Sequence, residues 1–284
     1  MKRHLARVFA VLLFCISLAA AAQNASSSVP PQVAGALKTK LTWYGQAAFR
    51  VVTPSGRVLL IDPWISNPVN PSAKQDLAEL KKVDLILITH GHFDHVGDAV
   101  EIAKATKAKL VTTADQGAAY ARHLGFPADQ MGLDSLGNVG GTLGFFDGEV
   151  KITLVNAIHS SAVSVKESGR DTSYAAGAPI GFVIGIRNGP TLYHTGDTDA
   201  FTDMQLLRSM KITLMLACIG DHFTMGPERA AEAVALVQPA KVAAMHYGTF
   251  PALNGTPAQF AAALKAKDLL MRYQPLQIHE TLEL

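Results

Sequence analysis

Cysteine is nearly missing from this chain, with two in 284 residues, Cys15 and Cys218. Cys15 lies in an N-terminal segment expected to be removed, so Cys218 would stand alone and no intramolecular disulfide could staple the mature protein. Its neighbours Leu216, Ala217 and Ile219 mark it as a buried, inert thiol. A charge excess of either sign is also missing. Taking Lys2, Arg3 and Arg7 from the 25 basic residues leaves 22 against 23 acidic ones, a net charge of −1. That balance, without a basic arm, excludes a nucleic-acid partner held by phosphate contacts.

Long apolar runs are absent as well. The longest N-terminal run, over 8–16, falls short of the ~20 residues a bilayer span needs. Preceded by Lys2-Arg3 and Arg7 and followed by Ser17-Leu18-Ala19-Ala20-Ala21-Ala22, it matches a secretory signal over 1–22. The protein is therefore expected to be exported, to the periplasm or the medium, with no stable membrane insertion after cleavage. Bulky Phe14 argues against a lipid anchor at Cys15. Residues 23–36, with Ser26-Ser27-Ser28 and Pro30-Pro31, are expected as a flexible leader, and 37–284 as one domain.

What the chain does have is ligand-type side chains crowded where packing has no use for them. Thr89-His90-Gly91-His92-Phe93-Asp94-His95 places three histidines and an aspartate within six positions, directly after the apolar run Leu85-Ile86-Leu87-Ile88. A buried strand ending in a glycine-containing turn throws alternate side chains into one open space, where imidazoles and a carboxylate converge on cations.

Around this stretch the order is strand, site, helix, strand, which is α/β. Strands are expected over 40–44, 48–53 and 58–61, the last ending at Asp62. A proline-broken loop over 64–71 could wall a pocket, and a short helix over 75–81 precedes the site strand at 83–89. Asp98 is the expected N-cap of a helix reaching 107, followed by a strand at 109–112 and a helix at 116–124. After a glycine-rich stretch, a strand over 150–158 leads to His159 and a long polar loop to Pro179. Strands at 180–186 and 191–194 form a hairpin over Asn188-Gly189, a type I′ signal, and lead to Asp197. A helix at 203–210, a strand at 212–218 leading to His222, a helix at 228–237 and a strand at 241–245 delivering His246 follow. The Thr256 capping box opens the last helix. A β-rich and then an α/β segment occur twice, before and after about residue 145. Spacing leaves Asp62 either capping its own turn or orienting a metal-bound histidine from behind.

The series His90-x-His92-x-Asp94-His95, His159, Asp197 and His246, each at a strand end, resembles the metallo-β-lactamase superfamily over essentially the whole mature domain. Gly196-Asp197-Thr198, the segment 220–227 and His246-Tyr247-Gly248-Thr249 look like its metal-dependent hydrolase branch, near the ascorbate-6-phosphate lactonases and the N-acylphosphatidylethanolamine phospholipase D enzymes. The resemblance implies a four-layer αββα sandwich with two metals at one edge, between two sheets. It implies that His90, His92 and His159 hold one metal, that Asp94, His95 and His246 hold the other, that Asp197 bridges them, and that Asp62 supports a ligand. Spacing alone groups only the four between 90 and 95.

Two divalent ions so held bring the pKa of a shared water towards ~7, so solvent is the nucleophile and Asp94 is the expected group to orient it. The donor set suits zinc, and manganese and iron accept it too. His222 is an oxyanion donor or leaving-group acid, or else a loop histidine bonded to backbone; the catalytic role is the expectation carried forward. His194 is expected in the core or bonded to backbone, and His123 and His279 at the surface. The expected activity is hydrolysis of a small ester, lactone or phosphodiester. The alternatives are an oxidoreductase of the diiron or sulfur-dioxygenase kind, against which His92 speaks because the diiron branch has Glu there, and a non-catalytic metal-binding protein.

Overall fold

The segments Val58–Ile61 and Leu85–Leu87 are apolar and buried at every position, which requires cover on both faces of the sheet they form. A computed structural model describes residues 38–284. The signal expected over 1–22 and the leader over 23–36 lie outside the described residues. The strands are β1 (Lys40–Trp43), β2 (Phe49–Val52), β3 (Val58–Ile61), β4 (Leu85–Leu87), β5 (Lys109–Thr113), β6 (Leu136–Gly137), β7 (Thr142–Phe145), β8 (Val150–Asn156), β9 (Ala162–Glu167), β10 (Arg170–Ala175), β11 (Ile180–Ile186), β12 (Thr191–His194), β13 (Leu214–Cys218), β14 (Lys241–Met245) and β15 (Thr281–Glu283). The helices are α1 (Ala73–Glu79), α2 (Phe93–Val96), α3 (Ala99–Thr106), α4 (Ala114–Ala119), α5 (Pro227–Val237) and α6 (Pro257–Ala266). Among the described residues no helix is long and apolar enough to cross a membrane.

The first sheet has the order β15-β1-β2-β3-β4-β5-β6, and the second β14-β13-β12-β11-β8-β7. Because side chains alternate across a strand, each strand feeds two cores. Leu41, Phe49, Leu59 and Leu87 point between the sheets, where they meet Ile152, Leu154, Phe182 and Leu216. Their neighbours Leu60, Ile86 and Leu110 point outward and are covered by Ile102 and Ala103 of α3. Ala230 and Val234 of α5 and Phe260 and Leu264 of α6 join the core of the second sheet. Helices cover both outer faces, which gives the αββα layering.

Each sheet is antiparallel at first and parallel later. In the first sheet β1, β2 and β3 alternate in direction, whereas β3, β4, β5 and β6 run together. In the second, β11 opposes both β8 and β12, and β13 and β14 follow β12. The strands β8, β12, β13 and β14 therefore share one direction, and their C-terminal ends share one edge, the usual place for a site in an open α/β sheet.

Several local expectations need correction. The segment expected as a loop up to Pro179 contains the hairpin β9–β10, whose mostly exposed, polar strands hide the alternation; it turns at Ser168 and Gly169, with φ 50° and 80°. The Asn188-Gly189 connection is not type I′, because only Asn188 has positive φ, and Pro190 can accept from Ile186 N–H but has no N–H to return. Asp98 is the N-cap residue of α3, as expected, but its side chain makes no cap bond. Its carboxylate instead takes the N–H and hydroxyl of Ser66, both at 2.8 Å, and so anchors the loop over 64–71. The helix expected at 203–210 is a 3₁₀ turn, Thr202–Met210, and the 116–124 helix ends in a π-helical segment, Tyr120–Leu124.

Candidate metal centre

The strand ends deliver their polar residues to one place. Asp62 follows β3, the 89–95 turn follows β4, His159 follows β8, Asp197 follows β12 and His246 follows β14. Two donor groups result, His90, His92 and His159, and Asp94, His95, Asp197 and His246. In the first, His90 Nε2 lies 2.9 Å from His92 Nδ1, which lies 3.3 Å from His159 Nε2. In the second all four side chains are buried, and Asp197 Oδ2 lies 3.0 Å from His246 Nε2 and 3.3 Å from His95 Nε2. The same oxygen is 3.7 Å from His159 Nε2 and 3.9 Å from His90 Nε2, so it faces both groups.

A hydrogen-bond layer behind the donors fixes their orientation. Asp62, fully buried, accepts from Thr89 N–H at 2.8 Å, from Thr89 Oγ1–H at 2.7 Å and from His95 Nδ1–H at 2.7 Å. Isolating that carboxylate from water costs several kcal/mol, and three charge-assisted bonds of about 1.5–3 kcal/mol each offset it. Since the Thr89 hydroxyl donates to Asp62, its lone pair is free for His90 Nδ1–H at 3.0 Å. Both His90 and His95 thus donate from Nδ1 and turn Nε2 towards the centre. Asp94 Oδ2 accepts from Gln46 Nε2 at 2.8 Å.

Two glycines allow the loops to close. A Cβ on Gly196, which has φ 61°, would meet Ile180 O at 2.6 Å, and one on Gly91 would meet Ala176 Cβ at 2.8 Å. Gly91 thereby packs the ligand turn against the β9–β10 hairpin, to which its N–H also binds through Ser161 Oγ. Ile158 N–H donates to Thr198 Oγ1 and Asp199 N–H to Ile158 O, lacing the His159 loop to the Asp197 loop.

The electrostatics call for a cation. Burial favours the protonated form of Asp197, yet His246 and His95 hold it well below the usual carboxylate range. Burial likewise opposes ionisation of Asp94, and His95 with His246 bring it down to about 2. Burial opposes charge on His95 and His246 too, but Asp197 and its neighbours raise His95 well above the ordinary imidazole value and His246 to about 9. His90, buried and beside other imidazoles, is pushed well below that value. His95 Nε2, His246 Nε2 and Asp197 Oδ1 are buried without any hydrogen-bond partner. Spacings of 2.9 and 3.3 Å between nitrogens are close to the ~3.3 Å edge of a tetrahedron built on ~2.05 Å metal–nitrogen bonds. Orphaned donors, their spacing and an imidazole–carboxylate composition together fit a divalent ion of the zinc type.

Above the donors opens a cavity of about 600 Å³ to which His92, Asp94, His159, Asp197 and His246 contribute, together with Phe93, Phe223 and Phe250. His222 is exposed and is not among its lining residues; its ring stands edge-on to Phe223, with centroids 4.4 Å apart. His194 Nε2 donates to Ala47 O at 3.0 Å inside the core. Tyr247 packs on Trp43 and is not among the lining residues. The histidines expected at the surface have partners: His123 stacks on Tyr174, and His279 binds Asn70 Oδ1 at 2.7 Å beside Asp76. Neither Gln46 nor the phenyl rings belong to the ligand pattern of the sequence. A glutamine in a Gly45-Gln46 turn carries no pattern, although the aromatics at 93, 223 and 250, each close to a candidate ligand or site loop, were a signal that spacing could have supplied.

A family model described as the beta-lactamase superfamily domain matches residues 57–247. The chain is 51% identical over 247 residues to a UPF0173 metal-dependent hydrolase of Thermodesulfovibrio yellowstonii, covering 87% of this chain and 92% of that protein. It is 53% identical over 233 residues to another from Anaeromyxobacter dehalogenans, covering 81% and 82%. The solved structure of Igni18, a metallo hydrolase from Ignicoccus hospitalis, superposes with a TM-score of 0.74 at 33% identity, covering 87% of this chain and 98% of that one. The expectation of a superfamily and a fold drawn from the strand-end ligands is thus met, and the chain belongs to the UPF0173 metal-dependent hydrolases of the beta-lactamase superfamily.

Proposed function

We propose that the protein is a dinuclear hydrolase acting on a small ester, lactone or phosphodiester. The observation that carries this is the position of Asp197 Oδ2, between 3.0 and 3.9 Å from imidazole nitrogens of both donor groups. His90, His92 and His159 would hold one ion and Asp94, His95 and His246 the other, with Asp197 shared. When bound, such ions supply Lewis acidity and water that ionises near neutral pH. The chain's residues do the rest. Asp62 and Thr89 keep the Nε2 atoms of His95 and His90 turned towards the centre, and the buried histidines exclude bulk water from one side of the cavity. Asp94 lines the cavity as an ionised carboxylate and is the group placed to orient the attacking water and take its proton. His222, outside the lining, has no part in this scheme.

Elemental analysis of the purified protein, coupled to assays on lactones, thioesters and phosphodiesters, tests the proposal. Two equivalents of zinc or manganese and turnover that Asp94→Ala abolishes are expected. A single equivalent would defeat the dinuclear scheme. Iron with oxygen consumption and no hydrolysis would replace it with the oxidoreductase alternative.

A further inference from the structure

The cavity over the donor groups is walled by aromatic rings. Phe93 and Phe250 lie with centroids 6.1 Å apart, and Trp64 packs on both, edge-on to Phe93 at 5.6 Å and stacked on Phe250 at 5.8 Å. Phe223 and Leu253 also contribute to the lining. Phe93 is 64% exposed and Phe223 58% exposed. Phenyl surface held in water at the mouth of a cavity is surface that an apolar guest can cover with gain, and rings packed on one another keep the wall in shape without a guest. The polar part of the lining is the ligand set and Ser160; among the described residues that line it there is no Lys or Arg to neutralise a second anionic group.

We propose that the site takes an uncharged ester or lactone whose acyl or aryl portion is apolar and lies along Phe93, Phe223 and Phe250, with the reacting carbonyl over Asp94 and Asp197. This rests on the hydrolase reading. A volume of about 600 Å³ admits a medium-chain acyl group beside an aromatic leaving group. Hydrolysis adds water across the acyl C–O bond: hydroxide forms the new bond to carbon, the alkoxide or phenoxide leaves with the bond's electron pair, and the proton passes by way of Asp94 to solvent or to the leaving oxygen.

The metal-loaded full chain is assayed on p-nitrophenyl acetate, p-nitrophenyl octanoate and bis(p-nitrophenyl) phosphate. The octanoate-to-acetate ratio of kcat/KM is expected to be about tenfold or more, and to fall several-fold in Phe223→Ala and in Phe250→Ala. A ratio near one, a ratio unchanged in both variants, or preference for the phosphodiester overturns the proposal. Calorimetry with octanohydroxamate and acetohydroxamate reads the same pocket without turnover. Octanohydroxamate binding about tenfold more tightly supports it and equal binding overturns it, so a protein that turns over nothing would defeat the hydrolase reading while the pocket is still decided.

A second proposal rests on the opposite side of Asp94. Gln46 is fully buried, with φ 47°, in the turn between β1 and β2. Its Nε2 donates to Asp94 Oδ2 at 2.8 Å, its Oε1 accepts from Thr249 Oγ1, and its backbone carbonyl accepts from His246 N–H at 3.0 Å and Trp43 Nε1–H at 3.1 Å. The Thr249 hydroxyl sets which end of the amide faces Asp94, a carboxylate that can only accept. We infer that Gln46 is a positioning residue for the Asp94–His246 side, tuning that half of the centre and leaving the three-histidine half untouched.

Gln46→Met keeps the length and removes the amide. Titration of the apo-protein with zinc against a chromophoric chelator is expected to show one of two equivalents, the one that His92→Ala leaves in place, weakened about tenfold or more, with the other unchanged and the thermal unfolding of the apo form close to wild type. Thr249→Val, which leaves Gln46 in place, gives a smaller shift in the same equivalent and serves if Gln46→Met does not fold. Two unchanged equivalents, or equal weakening of both, overturn the inference. A wild type that binds only one equivalent defeats the dinuclear reading and this inference with it.

Discussion

The two donor groups sit side by side and are held in different ways. His92 and His159 are half-buried at the cavity rim, and in both burial with neighbouring imidazoles lowers the pKa, so their nitrogens are bare without help. Asp94, His95, Asp197 and His246 are buried, carry the carboxylates, and lean on Asp62 and Gln46. His92 and His159 are preorganised by being neutral and accessible, whereas His90 and the second group are held by hydrogen bonds from behind. Affinity in the second depends on residues that never touch the ion.

The largest test of this contrast is Asp197→Ala. Because its Oδ2 faces both groups, both metal equivalents and all turnover above background are expected to be lost, whereas His92→Ala loses one equivalent; elemental analysis of the two variants distinguishes a shared carboxylate from one belonging to a single group. Next is Asp62→Asn, which weakens the acceptor for His95 Nδ1–H and Thr89. Zinc affinity of the Asp94 side should drop by about 10–100-fold, and that of the histidine side by less because Asp62 reaches His90 only through Thr89, read by chelator competition. Smaller is a kinetic difference. Stopped-flow mixing of the holoprotein with a chelator should release metal in two phases, the faster one disappearing in His92→Ala, and a single phase would erase the contrast between rim and interior.

The smallest effect concerns Cys218, which lies beyond both groups. Burial, with Asp197 nearby, pushes its thiol up to about 11 from 9.0. Between those values the unfolded chain has lost the proton and the native one keeps it, so this group subtracts stability as pH rises through that window. Alkylation at pH 8 should be negligible in the native protein and complete in denaturant, with metal content unchanged by Cys218→Ala.

Strand ends were legible because each combines a short apolar run with a ligand-type residue, and both signals are local. The same holds for the Thr256–Gln259 capping box, which forms as expected. Partners across the fold were not legible. The bond from Gln46 to Asp94 joins residues 48 positions apart, and nothing near either announces the other. His222 shows how a loop defeats spacing. Asp221 and His222 both adopt left-handed conformations, φ 61° and 56°, and it is Phe223, not His222, that lines the cavity. The β9–β10 hairpin escaped because exposed strands need no apolar face to betray them.

The division of the donors between the two sheets has a consequence for assembly. His90, His92, Asp94 and His95 lie in the first half of the chain, after β4 of the first sheet, and His159, Asp197 and His246 in the second half, after strands of the second sheet. Neither donor group is complete within one half. An ion bound by either group would therefore tie the two halves together, adding to the crossings that β7 and β15 already make between the sheets. If the chain were cut at the exposed Asp147-Gly148 turn, metal would act as the glue of a split protein, and recovery of the centre would report that the halves had found each other.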